Sequence, residues 1–265
     1  MKKFFYIILI PILAVVFTGC RETHTSKPLK IAISKAIPED KYQNYYRWIH
    51  SVDSTIICFD LYYLNMDSAL KTLEYCDGLL LTGGPDIHPQ KFGKERDTAR
   101  CQDIDLKRDS LEFALLAKAM NLKMPVQGVC RGLQVINVYF GGSLTIDIPS
   151  DLGSLVGHQL PDTYECYHEV NVLPNSALFK LSGSEIGTVN SNHHQGIESL
   201  APLLTGMAKT KDGLIEAIGL RDTVDKSYLL AVQWHPERLD YSNPLSGPVI
   251  KRFIEAVRTY SNSGK

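Results

Sequence analysis

From Leu29 onward, apolar residues fall in short runs separated by longer segments that carry one apolar face. The runs at 30–36 (KIAISKA), 54–60 (STIICFD), 77–84 (DGLLLTGG) and 125–130 (PVQGVC) are short and rich in aliphatic residues, as buried strands are. Between them, 38–51, 67–75 and 103–121 are long enough for helices. In the last of these, Ile104, Leu111, Ala114 and Leu115 mark the inner face, while Asp105, Lys107, Arg108 and Glu112 are expected to stay in water. Alternation of strand and helix predicts a largely parallel sheet covered on both faces. The second half has another rhythm. Strand-like runs at 168–173 (HEVNVL), 187–191 (GTVNS), 214–221 (LIEAIGLR) and 228–234 (YLLAVQW) are joined by short turns such as Lys211-Asp212-Gly213. These strands are expected to extend or edge the same sheet, and a helix at 248–260 ends the chain. No linker or repeat follows Pro28, so 29–265 reads as one domain.

The first twenty residues, MKKFFYIILIPILAVVFTGC, do not belong to that pattern. Lys2 and Lys3 precede an uncharged apolar run that is short for a membrane-spanning helix, and Thr18-Gly19 leads into Cys20. This order resembles a bacterial lipoprotein signal, with Phe17 where Leu is usual. The resemblance implies that 1–19 is removed, that Cys20 is lipidated, and that 20–28 tethers the domain to a membrane. An uncleaved anchor and an ordinary secretory signal are the alternatives. Each puts the domain outside the cytoplasm, and the lack of Asp after Cys20 favours the outer membrane.

Composition narrows the function classes. In 265 residues, 44% hydrophobic content and 22% charged content exclude disorder, and a formal net charge of -1 without a basic cluster argues against a nucleic-acid binder. Six cysteines are too few for a disulfide scaffold, so each needs its own account.

The most informative segment is MPVQGVCRGLQVINVYFGG at 124–142. An apolar strand enters Gly128-Val129-Cys130-Arg131-Gly132 and a helical pattern follows at once. Glycines two before and two after a nucleophile permit the cramped strand-to-helix turn that exposes its side chain. Cys130 would then sit at a helix N-terminus, where free N–H groups favour an anionic sulfur. The alternative is a buried structural cysteine. Two other segments favour the reactive reading. In Gln233-Trp234-His235-Pro236-Glu237, His235 and Glu237 are two apart at a strand end, so in extended backbone Glu237 can orient the imidazole. In Thr82-Gly83-Gly84-Pro85, a glycine turn at another strand end can offer the N–H of Gly84 to an oxyanion, with the N–H of Arg131 as second donor. A thiol, a base and an orienting carboxylate form a nucleophilic triad.

TGGPDIHP at 82–89, GVCRGLQ at 128–134, NSNHHQG at 190–196 and QWHPE at 233–237 occur in that order. As a set, the chain resembles the class I glutamine amidotransferase superfamily, in particular its gamma-glutamyl hydrolase branch. The resemblance covers 29 to about 260. It implies a flavodoxin-like three-layer α/β/α sandwich, mostly parallel with a more antiparallel C-terminal part, and no metal or organic cofactor. It also implies that Cys130 attacks a γ-glutamyl carbonyl, that His235 moves protons and that Glu237 holds His235. Gln134 falls where relatives bind the glutamyl head, and His193, His194 and Gln195 fall in a loop that contacts substrate. Arg108 and Asp109 match too, as substrate contacts or as a surface ion pair.

Cys58, Cys76, Cys101 and Cys166 remain, an even number whose pairing sequence does not give, and free thiols are the expectation. An exported γ-glutamyl hydrolase would meet γ-glutamyl peptides or, as a second option, the stem peptides of the cell wall. A glutaminase feeding ammonia to a partner enzyme and a non-catalytic γ-glutamyl-binding lipoprotein are the competing readings.

Overall fold

Residues 1, 27–36, 40–153, 155–160, 166–223 and 227–264 are described by a computed structural model. The expected signal and Cys20, the residue expected to carry lipid, lie outside the described residues, apart from Met1. Among the described residues, no helix is long and apolar enough to cross a membrane. The elements run β1 (Lys30–Ile33), α1 (Asp40–His50), β2 (Ile57–Asp60), α2 (Met66–Glu74), β3 (Gly78–Leu81), α3 (Leu106–Asn121), β4 (Val126–Val129), α4 (Arg131–Tyr139), β5 (Ser143–Thr145), α5 (Ile148–Asp151), β6 (Cys166–Val172), α6 (Ala177–Ser182), β7 (Ile186–Ser191), β8 (Gly196–Ser199), β9 (Leu204–Lys209), β10 (Ile215–Leu220), β11 (Leu229–Val232) and α7 (Gly247–Asn262). Three 3-10 turns lie at Pro89–Phe92, Glu95–Arg100 and Pro236–Arg238.

One sheet takes in every strand, in the order β2-β1-β3-β4-β11-β10-β9-β6-β7, with β8 pairing β10 and β5. From β2 to β11 the pairings are parallel. From β10 outward they are antiparallel. The change of rhythm in the sequence is thus a change of strand direction within one sheet.

Two-residue periodicity divides the core into two layers. Ile31, Ile33, Leu80, Val129, Leu230 and Val232 face Tyr45 and Trp48 of α1 and Ile250, Phe253 and Val257 of α7. Ala32, Leu79, Leu81, Val126, Leu229 and Ala231 face Leu73 of α2, Leu111 and Leu115 of α3, and Leu133 and Ile136 of α4. Helices therefore cover both faces, as the three-layer expectation required.

Two expectations need correction. Arg108 and Glu112 of α3 are not in water but fully buried. They pair with each other, Nε to Oε1 at 2.9 Å, which offsets the desolvation that periodicity alone cannot foresee. Cys58 lies on β2 at the sheet edge and is only half-buried, because no strand covers its outer side. Cys58, Cys76, Cys101 and Cys166 are free thiols.

Candidate active site

Parallel strands bring their carboxyl ends to one edge of the sheet, and the loops that leave them form the natural place for a site. Here Lys35 follows β1, Gly83 and Gly84 follow β3, Cys130 follows β4 and His235 follows β11, and all of them line one cleft of about 400 Å³.

The turn at Cys130 is built under strain. Its backbone sits at φ 50°, ψ -106°, outside the left-handed helical basin as well as the ordinary ones. A conformation of this kind costs about 1–3 kcal/mol and persists only when its surroundings enforce it. Those surroundings are visible. The Cys130 N–H donates to the Val232 carbonyl at 2.8 Å, tying the elbow to β11. A side chain on Gly132 would put its Cβ 2.3 Å from the Leu81 carbonyl oxygen, so only glycine lets α4 start this close to β3. Cys130 ends up as the N-cap of α4, with its thiol facing the cleft.

His235 and Glu237 meet as expected, but for a different local reason. Strand β11 stops at Val232, and Pro236–Arg238 is a 3-10 turn rather than extended chain. The turn still folds the carboxylate back, so that Nδ1 of His235 stands 2.8 Å from Oε1 of Glu237. His235 and Cys130 line the same cleft. Burial alone would lower the imidazole pKa, yet Glu237 and then Cys130 outweigh it and hold His235 up at about 9. At neutral pH the ring is an imidazolium beside the sulfur. The site is enclosed from three further sides. Trp234 anchors the segment by donating its indole N–H to the Leu245 carbonyl at 3.1 Å, and Asn190 accepts the His235 backbone N–H at 3.1 Å. Gln233 points its amide Nε2 at the Cys130 sulfur at 3.5 Å.

The turn at Gly83-Gly84 rests on Tyr45 and Arg108. The Gly83 N–H donates to the Tyr45 hydroxyl at 2.9 Å, and burial, followed by the nearby Glu237 charge, keeps that phenol far from ionising. Arg108 donates from one guanidinium nitrogen to the carbonyls of Thr82 and Gly83 at 3.0 and 2.7 Å. A Cβ on Gly84 would stand 2.0 Å from another Arg108 nitrogen. Arg131 donates in turn to Asp109 and Glu112, and Ser34 donates to Glu112 at 2.7 Å. Two arginines and two carboxylates thus neutralise one another in the core. Arg108 and Asp109 are neither surface ions nor cleft-lining groups: they brace the glycine turn and the first turn of α4 from behind.

The loop after β7 supplies the opposite wall. His193, His194 and Gln195 all line the cleft, as does Gln134. Both ring nitrogens of His194 and Nδ1 of His193 are nevertheless engaged by protein groups. His194 bridges Asp86 at 3.0 Å and Asp147 at 3.2 Å. Burial works against charging that ring, but the two carboxylates raise its pKa above the ordinary value. His193 places Nδ1 2.9 Å from the Gln195 carbonyl and Nε2 3.5 Å from Glu216. Gln134 donates to the same Gln195 carbonyl at 3.2 Å, while the buried Oε1 of Gln195 has no hydrogen-bond partner. Missed by sequence reading were Tyr45, Gln233, Asn190 and Asp86. Gln233 and Asn190 stand inside or beside the quoted motifs. Tyr45 carries no signal beyond its place on the inner face of α1.

A strained thiol at a strand-to-helix elbow, a histidine held by a carboxylate and a glycine turn at the carboxyl edge of a parallel sheet define the class. The sequence model of the family described as Peptidase C26 matches residues 14–237, and the chain belongs to that family. It is 37% identical over 186 residues to Protein NtpR of Enterococcus hirae, covering 69% of this chain and 76% of that one. It is 34% identical over 187 residues to the gamma-glutamyl-gamma-aminobutyrate hydrolase PuuD of Escherichia coli K12, covering 68% and 71%. The fold is shared with the glutaminase domain of Trypanosoma brucei CTPS, solved with acivicin bound, at a TM-score of 0.60 and 18% identity over 87% of this chain and 94% of that one. The chain is a hydrolase of the glutamine amidotransferase-like kind in an α/β/α fold.

Proposed function

We propose that the protein is a thiol hydrolase of γ-glutamyl amide bonds. The observation that carries this reading is that Cys130 and His235 line one cleft while Oε1 of Glu237 holds Nδ1 of His235 at 2.8 Å. The Cys130 sulfur attacks the γ-carbonyl carbon, and the carbonyl oxygen gains charge. The N–H groups of Gly84 and Arg131 receive that charge. Collapse breaks the C–N bond as His235 gives its proton to the departing amine, which leaves a glutamyl thioester on Cys130. Water then loses a proton to His235, adds to the thioester carbon and, as the C–S bond breaks, releases glutamate, so that the free Cys130 sulfur again stands beside a protonated ring. Gln134 and Gln195 take the glutamyl head, and the buried, unpartnered Oε1 of Gln195 suits its ammonium group. His193 and His194 shape the wall that holds them.

The likeness to a gamma-glutamyl-gamma-aminobutyrate hydrolase supports the γ-glutamyl half of the substrate and leaves the amine half open. We place the enzyme outside the cytoplasm on the lipid of Cys20, so its substrates are γ-glutamyl peptides, with wall stem peptides as the second class. Acyl labelling that disappears in Cys20→Ala tests the anchor. The activity test uses the full chain under reducing conditions beside Cys130→Ala. The panel holds γ-glutamyl amides of both glutamate configurations, glutamine and a wall tripeptide. Turnover of a γ-glutamyl amide that vanishes in the variant is the expected result. Turnover of glutamine alone would favour the ammonia-supplying reading, and binding without turnover would favour the non-catalytic one.

A further inference from the structure

Behind the wall of the cleft, three histidines surround one carboxylate. His158 precedes β6, His168 lies on β6, His193 follows β7, and Glu216 lies on β10. All four are buried. Nδ1 of His158 and Nε2 of His193 each stand 3.5 Å from Oε1 of Glu216, and Nε2 of His168 stands 3.5 Å from Oε2. None of these five atoms has a hydrogen-bond partner. A charge-assisted N–H···O bond is about 2.7–2.9 Å long, so 3.5 Å is too far for the imidazoles to be satisfying Glu216 directly.

The other nitrogen of each ring explains what the free ones are. Nε2 of His158 is 2.9 Å from an Asp212 carboxylate oxygen, Nδ1 of His193 is 2.9 Å from the Gln195 carbonyl, and Nδ1 of His168 is 3.2 Å from the Gly157 carbonyl. These acceptors require an N–H on that side, so in the neutral rings the three nitrogens facing Glu216 carry bare lone pairs. Lone pairs aimed at a carboxylate in a dry interior need a positive centre between them. Protons serve poorly, since the rings of His158 and His193 are 4.9 Å apart at their centroids and those of His158 and His168 are 4.8 Å apart. Charging two of them would set like charges side by side away from water. A divalent ion removes the conflict with one charge centre. In a tetrahedral zinc site with bonds of about 2.0–2.1 Å, neighbouring ligand atoms stand about 3.3–3.4 Å apart, close to the spacing seen. The ligand atoms of His158, His193 and Glu216 all lie within 4.8 Å of one another. An N–H given to a carboxylate or carbonyl is also what a metal-bound imidazole carries on its far side.

We propose that His158 Nδ1, His193 Nε2 and Glu216 hold a divalent transition-metal ion of the zinc type, with His168 Nε2 as the nearest fourth donor. Imidazole and carboxylate ligands suit zinc better than calcium or magnesium. A buried site whose ligands all come from the protein is structural rather than catalytic. It would pin the segment before β6, the loop after β7 and β10 to one another. Through the carbonyl of Gln195 it would also fix the height at which Gln134 and Gln195 meet the cleft.

The test needs no substrate, so it stands or falls apart from the hydrolase reading. The full chain is purified without chelator, and its metal is counted by elemental analysis. The chain is then stripped and titrated with Zn²⁺ or Co²⁺. One ion per chain is expected, with Co²⁺ giving the visible bands of a four-coordinate site and no sulfur-to-metal charge transfer. Saturation at a hundredfold excess over Kd should raise the melting temperature by roughly 5–10 °C. His158→Asn and Glu216→Gln should lose the ion, and their far-ultraviolet circular dichroism reports whether they fold. A folded wild-type chain that holds no ion and does not respond to Zn²⁺ or Co²⁺ overturns the proposal. So does stoichiometric binding that persists in both folded variants, or a Co²⁺ spectrum dominated by thiolate. If the variants do not fold, the wild-type count and spectrum decide alone.

Discussion

Replacing Glu237 with Gln keeps the shape of the side chain and removes one charge 2.8 Å from Nδ1 of His235. Burial works against the imidazolium, and Glu237 is the first of the groups that hold its pKa up at about 9. An opposite charge at this range is worth about 1–3 pKa units, so His235 in Glu237→Gln should titrate at roughly 6–8. Two consequences can be measured. The limb on which activity falls with rising pH moves down by the same amount, because His235 must carry a proton to expel the amine. Below that limb, kcat still drops by about 10²–10⁴-fold, since an amide no longer holds the ring in the orientation that faces Cys130.

A third consequence concerns stability. His235 binds its proton more tightly when folded, at about 9, than unfolded, at about 6.5. The folded state therefore carries more protons between those values, and stability falls as pH rises through them. The charged ring contributes about 3 kcal/mol, fully present below pH 6.5 and lost as pH passes 9. Proton NMR titration of the His235 ring, pH–rate profiles and urea unfolding at pH 6, 7.5 and 9 read all three effects. An alkaline limb and a ring titration that stay at the wild-type pH in Glu237→Gln would refute the assignment of the charge to this pair.

Other perturbations separate the supporting parts. Arg108→Met leaves Glu112 buried with one partner fewer and should cost about 3–5 kcal/mol, read as a lower denaturant midpoint. Gly132→Ala drives a methyl to 2.3 Å from the Leu81 carbonyl, a backbone atom that cannot rotate away. A loss of about 1–3 kcal/mol in thermal unfolding is expected, together with slower alkylation of Cys130 as the elbow shifts. Tyr45→Phe strands the buried Gly83 N–H, at a cost of about 1–3 kcal/mol, and should lower kcat with little change in KM.

The parallel half of the fold was legible at β1, β3 and β4, which are apolar runs alternating with segments of helical length, whereas β11 follows β10 without a helix between. The strands that escaped notice are those whose pattern is too short or too mixed. β5 has three residues, β8 reads GIES, and β9 reads LTGMAK with a glycine and a threonine inside it. Their register comes from partners, not from their own sequence. At the site, Cys130, His235, Glu237 and Gly84 could be brought together from the sequence because each stands in a compact motif at a strand end. Arg108 and Glu112 defeated the same logic. Charged residues on a helix read as the wet face, and what makes their burial tolerable is Arg131, nineteen residues beyond Glu112 in another helix.

Seen from Cys130, the two polar clusters that sequence could not reveal do complementary things. The strained elbow keeps its geometry only if its neighbours do not yield, and the cleft has two walls to hold. Arg108, Asp109, Glu112 and Arg131 stiffen the wall of backbone N–H groups at Gly84 and at the start of α4, which in the proposed mechanism matter only once the carbonyl oxygen becomes an oxyanion. With the proposed ion, His158, His168, His193 and Glu216 would stiffen the wall of Gln134 and Gln195, which in the proposed mechanism the substrate meets on arrival. Binding energy used equally in the ground and transition states appears in KM, and energy gained only at the transition state appears in kcat. Weakening the arginine cluster should therefore lower kcat first, while Glu216→Gln should raise KM first. Steady-state kinetics on a single γ-glutamyl substrate distinguishes the two. If both variants lower kcat alone, the histidine cluster is not supporting the substrate wall.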